Sequence, residues 1–216
     1  MSSSVQQLLS VAHRALSEAK PRLPPSIAAE AGSLAGELID LLRARNGFFA
    51  FGAALHVFPC ESTDFSRGLV EWNEPGLWKH EYQSFVDPGL CFAEDIFGNQ
   101  FSIKDGSVHH FEVETGALTS IASSLEEWAA LILSDDQLWT GWPVAQRWAE
   151  HDGPVRLHKR LHPATPFVCG GSYEVDNLRP IDAAEMMAKW GSFARQIHGL
   201  PDGAQIKIAV DWDTRS

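Results

Sequence analysis

The segment from Cys91 to Ile103, CFAEDIFGNQFSI, limits what this chain can fold into more than any other. Two strand-compatible runs, CFAEDIF and NQFSI, meet at Gly98-Asn99, a dipeptide able to take the positive φ angles of a two-residue hairpin turn. Alternation then predicts Phe92, Glu94 and Ile96 on one face, with Cys91, Ala93, Asp95 and Phe97 on the other. Each face mixes apolar and acidic residues. Since charged residues are seldom fully buried, Glu94 and Asp95 are expected at a rim where the sheet meets solvent.

The surrounding stretch reads in the same way. Strand candidates are Ala54 to Phe58, Arg67 to Asn73, Gly89 to Phe97, Gln100 to Lys104, Val108 to Glu112 and Ala117 to Ile121. Asp105-Gly106 marks a second tight hairpin, and Glu114-Thr115-Gly116 separates the next pair. Such a meander predicts an antiparallel sheet with helices on one face.

Helical periodicity flanks this region. Val5 to Ala19 and Ser26 to Arg45 carry apolar stripes, the first ended by Lys20-Pro21 and the second by Asn46-Gly47. Ser123 or Ser124 can cap a helix from Leu125, and Pro143 suits the first turn of another. Thr165 to Cys169 reads as an extended run closed by a turn at Gly170-Gly171. Asp182 to His198 reads as an amphipathic helix, and Ile206, Ile208 and Val210 as a final strand. The expected class is α+β: a central antiparallel sheet with flanking helices, two N-terminal helices and a C-terminal helix-strand extension. With no linker in sight, 1–216 is read as one domain, its core over about 26–150 and its extension over about 151–216. The part from about Pro154 either completes the main sheet or builds a separate lobe, and the lack of a linker favours the former.

Charge is unevenly distributed. The net value of −11 divides into +1 over Met1 to Arg45, −12 over Asn46 to Thr140 and 0 over Gly141 to Ser216. A concentrated acidic segment disfavours nucleic acid, whose phosphates need Lys and Arg, and favours a basic protein partner. No apolar run is long enough to span a bilayer and the first residues lack a secretory pattern, so a cytoplasmic location is expected and no membrane partner. Cys60, Cys91 and Cys169 are odd in number and widely spaced, which fits small buried side chains better than disulfides or a zinc site.

A search for catalytic patterns finds no P-loop, dinucleotide fingerprint, HExxH, paired CxxC or GxSxG. His109 and His110 are adjacent, so a strand would turn them to opposite faces. His158 and His162 are four apart, but Pro163 interrupts the helix they would need to chelate together. No catalytic residue, cofactor or metal ligand is assigned. A hydrolytic alternative would require a concave pocket joining an acid to His109, His110 or His158.

The order of segments carries one resemblance. Two helices ending in NG, then LHVFP, WNEPGLWKHEY, CFAEDIFGNQFSI, a Gly-bounded hairpin and SIASSLEEWAALIL resemble the SUKH superfamily, which includes yeast cell-wall regulators. TGWPVAQRWAEH, PFVCGGSYEVDNLRPID and LPDGAQIKI look like its extended bacterial form. The resemblance covers about Ile27 to Val210. It implies an α+β fold and a non-enzymatic cytoplasmic immunity protein that neutralises a cognate toxin, often a nuclease or deaminase. It also admits a regulatory or scaffold adaptor that binds an endogenous protein. The family supplies no catalytic residues. Candidate contacts, chosen as acids around an aromatic anchor, are Glu71, Glu74, Trp78, Glu81, Glu94 and Asp95.

Overall fold

The computed structural model describes residues 3–201 and 203–205; the strand expected at Ile206 to Val210 lies outside them. Its centre is a six-stranded antiparallel meander: β1 (Phe48–Ala50), β2 (Leu55–Val57), β3 (Leu90–Glu94), β4 (Gln100–Lys104), β5 (Ser107–Phe111) and β6 (Leu118–Ala122), adjacent in chain order. The β4–β5 hairpin closes through Asp105 and Gly106, both at positive φ (50° and 74°), as a mirror-image two-residue turn requires.

The opening hairpin departs from its expected form. The β3–β4 connection is a five-residue loop, 95–99, because Asp95 organises it: its carboxylate accepts from the backbone of Phe97 (2.8 Å) and Asn99 (2.9 Å) and from Asn99 Nδ2 (2.8 Å). Alternation also breaks. Cys91 pairs with Ser102 and Ala93 with Phe101, so Phe92 is an extra residue, and Cys91 and Ala93 turn to opposite sides. Asn73 clamps this bulge, accepting from Cys91 N–H and donating to Cys91 C=O, each at 2.8 Å.

The helices are α1 (Ser4–Val11), α2 (Pro25–Ala31), α3 (Ala35–Ala44), α4 (Leu69–Trp72), α5 (Leu125–Ser134), α6 (Asp136–Thr140), α7 (Trp142–Asp152) and α8 (Ala183–Ile197). The first is shorter than its apolar stripe. From Ala12 the backbone instead runs along the exposed edge of β1, where His13 donates to Phe49 C=O (2.7 Å) and Leu16 to Gly47 C=O (2.9 Å). Covering an edge strand satisfies its open hydrogen-bonding groups and blocks pairing with another chain. Residues 67 to 73 hold α4 rather than a strand, since Leu69 and Trp72, three apart, both face the core.

The main core joins the helix stripes to the covered sheet face. A row of rings runs through it from Phe58 to Trp72, Trp78, Tyr82 and Phe111. Their polar ends are satisfied: Trp72 Nε1 donates to Gln100 Oε1 (2.8 Å), Trp78 Nε1 to Trp72 C=O (2.9 Å) and Tyr82 Oη to Val113 C=O (2.7 Å). Cys60 and Cys91 are buried, while Cys169 is exposed, unlike the expectation for it.

The C-terminal part makes its own two-stranded ladder, β7 (Lys159–Pro163) with β8 (Leu178–Asp182), instead of extending the meander. Thr165 to Cys169 is not extended; it contains a 3-10 turn, Phe167–Cys169. The ladder is tied to the sheet by Leu161 N–H donating to Ile96 C=O (2.8 Å) and by a second apolar cluster of Ile96, Phe97, Val144, Trp148, Leu161 and Leu178. Helix α8, capped by Asp182, buries Met186, Met187, Trp190 and Phe193 in the main core. No helix among the described residues is long and apolar enough to cross a membrane.

Candidate protein-binding face

Three of the six proposed contact residues lie inside the fold. Trp78 is fully buried, held by the ring row and its bond to Trp72. Glu94 (1% exposed) and Asp95 (3%) are buried too, so the expected solvent rim does not exist. Asp95 serves its own loop, and burial pushes its carboxyl up to about 7 against the bonds it accepts.

Glu94 is the hub of a buried polar network. Arg160 Nη2 lies 2.8 Å from its Oε1, His56 Nδ1 3.0 Å from the same oxygen, and Gln100 Nε2 3.3 Å from Oε2. Burial works to raise its pKa, but the Arg160 guanidinium and these bonds hold it below the usual carboxylate value. Burial lowers His56 to about 4, so the ring is neutral near pH 7 and donates from Nδ1 to Glu94. Its Nε2 faces Ser66 Oγ at 2.8 Å, while that hydroxyl also lies 2.8 Å from Arg67 C=O. Arg160 stands over the Phe49 ring, its Cζ 5.6 Å from the centroid. The network joins β2, β3, the turn before α4 and β7.

A serine, imidazole and carboxylate in series is the connectivity of a nucleophilic triad. Here Ser66 is itself buried, and the hollows described below are lined by neither Ser66 nor His56. Among the described residues no group of three or more His, Cys, Asp and Glu is placed to hold a metal ion.

The other candidates reach the surface. Glu71 is exposed but pairs with Arg67 (3.2 Å) and accepts from Ser62 Oγ, and half-buried Glu81 pairs with Arg195 (2.7 Å). Glu74 is exposed in the turn after α4. Over residues 46–140, ten of fifteen acids are exposed and none of the three bases is. Arg67 is held by Glu71 and Asp182 (3.4 Å), Lys79 by Gly89 C=O (2.7 Å) and Glu30 (3.5 Å), and Lys104 by Asp87 (3.2 Å).

Two hollows open where the β3–β4 loop meets the C-terminal part, one of about 520 Å³ and one of about 250 Å³, sharing Phe97, Asn99, Glu112 and Tyr173. The ring of Tyr173 stacks on Phe167 at 3.9 Å, and Phe97 meets both edge-on. Glu114 holds this cluster in place: its carboxylate accepts from the backbone N–H groups of Phe167 (2.9 Å) and Val168 (2.8 Å). The larger hollow is lined by His110 as well as by Glu112 and Asp95. Glu112, however, accepts from Thr115 Oγ1, and Asp95 is occupied by its loop. None of Glu112, Phe167 or Tyr173 was singled out from the sequence. The pattern of β5 does place Glu112 just beyond a strand end, on the side of His110.

No protein-family model matches this sequence. No curated protein does either. Among solved structures, the chain is similar to the crystal structure of Atu4351 from Agrobacterium tumefaciens, with a TM-score of 0.54 at 13% identity over 85% of this chain and 86% of that one. The likeness is one of fold.

Proposed function

We propose that this protein is a binding protein of the immunity type, which occupies a basic surface of a toxin, of nuclease or deaminase class, in the cytoplasm. The observation that carries the reading is the surface of residues 46–140, where ten acids are exposed and every base is tied down. A toxin that works on nucleic acid must gather phosphates with Lys and Arg. Exposed acids in such excess over the bases of the same segment attract such a groove at long range and speed encounter. The resemblance in segment order to the SUKH superfamily supports the same reading. The engagement of the Glu112 and Asp95 carboxylates by their own neighbours favours binding over an acid-base role beside His110.

The test begins with the neighbouring gene, which is expected to encode a secreted protein with a C-terminal toxin domain, and continues with co-expression of that domain and this chain. Growth is expected to be restored, and the purified pair is expected to associate more slowly as salt rises. Glu74→Lys is expected to slow association most among the proposed acids, because Glu71 and Glu81 are already paired. Unrestored growth together with an endogenous partner in co-purification would replace this reading with the adaptor one.

A further inference from the structure

The two hollows beside Tyr173 have features that the net charge alone does not explain. Tyr173 remains 52% exposed although Phe167 stacks on one face of its ring and Phe97 meets it edge-on. Leu138 (69%) and Val168 (52%) are further large apolar side chains left in solvent, and each lines one of the hollows. Exposed apolar residues gathered around a concavity mark contact surfaces. Glu112 is an exposed residue on the shared wall, and since Thr115 Oγ1 donates to its Oε2, its Oε1 is the oxygen left for a further donor. Arg147 lines the larger hollow, but its guanidinium is turned to Tyr173 C=O (3.2 Å). His110, the other base there, has its ring against Phe101 and Trp139. A half-exposed aromatic ring next to a carboxylate is the pairing that holds a cation with an apolar stem.

We infer that this cleft seats one arginine or lysine side chain presented by the basic protein partner, with its stem on Tyr173 and its charge toward Glu112. The inference rests on the binding reading above and names the point at which the partner is anchored. Because Glu114 and Asp95 fix the two loops that carry the rings, the seat is formed before the partner arrives.

The experiment is an amide-resonance titration of the full chain with N-acetyl-arginine methylamide, and with its citrulline counterpart as the uncharged isostere. Saturable shifts are expected at Asn99, Glu112, Tyr173 and the Trp139 indole with the arginine compound only. Tyr173→Ala and Glu112→Gln are each expected to weaken it about five-fold, while Tyr173→Phe and Glu74→Gln leave it unchanged. Unchanged thermal midpoints verify that the variants are folded. Equal binding of the citrulline compound, shifts spread evenly over the exposed acids, or wild-type binding by Tyr173→Ala and Glu112→Gln would each overturn the assignment. Toxin rescue is a separate readout. A chain that rescues but fails the titration loses the cleft and keeps the function, and one that passes but does not rescue loses the toxin.

Discussion

Glu94 shows how far a side chain's role can lie from its local pattern. In CFAEDIF it reads as one more exposed acid, yet it sits at 1% exposure between Arg160 and His56. The partner that makes burial tolerable comes from RLHKRLH, a basic run that local periodicity does not mark as a strand. Breaking a buried ion pair leaves an uncompensated charge, so Glu94→Gln is expected to cost about 3–5 kcal/mol in denaturant unfolding. Replacing both partners, as in Glu94→Gln with Arg160→Met, is expected to recover part of that loss. His56 adds a pH dependence. Its folded pKa of about 4 lies below the ordinary 6.5, so its contribution is complete above about pH 6.5 and is lost as pH falls toward 4. The loss is roughly 3 kcal/mol. Asp95, raised from 3.8 to about 7, acts in the opposite sense: its contribution is complete below its unfolded value and is lost as pH rises through 7. Between pH 4.5 and 6.5 the two contributions nearly offset in the parent chain, so its unfolding curves are expected to differ little, whereas His56→Gln, which leaves the Asp95 contribution alone, is expected to be clearly less stable at pH 6.5 than at 4.5. An equal difference in the two chains would assign the acid sensitivity elsewhere.

Among the elements, those set by turn chemistry and period were legible and those set by distant partners were not. Asp105-Gly106 marks its hairpin because its residues tolerate positive φ. Ser124 caps α5 by accepting from Glu127 N–H (3.1 Å), and the stripe of α8 faces the core as its period requires. The stripe from Val5 to Ala19 predicts too long a helix, because the edge of β1 competes for the backbone after Val11. The run after Gly68 was misread because four residues do not separate a helical turn from a strand. The candidate contacts fared as their surroundings dictate: Glu74 stays in solvent, whereas Trp78 was an anchor for the core and not for a partner. Docking of α8 turns on one position. A β-carbon on Gly191 would stand 2.5 Å from Glu81 Cβ and 2.9 Å from the Tyr82 ring, closer than packed atoms allow. Gly191→Ala is therefore expected to destabilise the protein by about 1–3 kcal/mol through overpacking, in spite of alanine's better helix propensity. A neutral or raised thermal midpoint would mean that α8 can shift without cost.

At the scale of the whole molecule, the acids and the fold answer different needs. The meander is built by apolar side chains, paired backbone and the buried Glu94 network, and the exposed acids around it contribute little to that stability. They are free to serve recognition, and Glu112 beside Tyr173 is the place where charge and open apolar surface coincide. The inward placement of bases between residues 46 and 140 has a further consequence. A protease that cuts after Lys or Arg needs an exposed, pliable backbone around one of them, and Arg67, Lys79 and Lys104 are all partly or wholly buried and paired. Brief native digestion with trypsin is expected to cut first at exposed positions such as Arg14 and Arg22 on one side and Arg156 on the other. The sheet would then survive as a single large fragment on a gel. Early cleavage after Lys79 or Lys104 would reveal a local opening of the meander. The same inward placement of bases that leaves the exposed charge of this segment acidic thus also gives the sheet resistance to one class of protease.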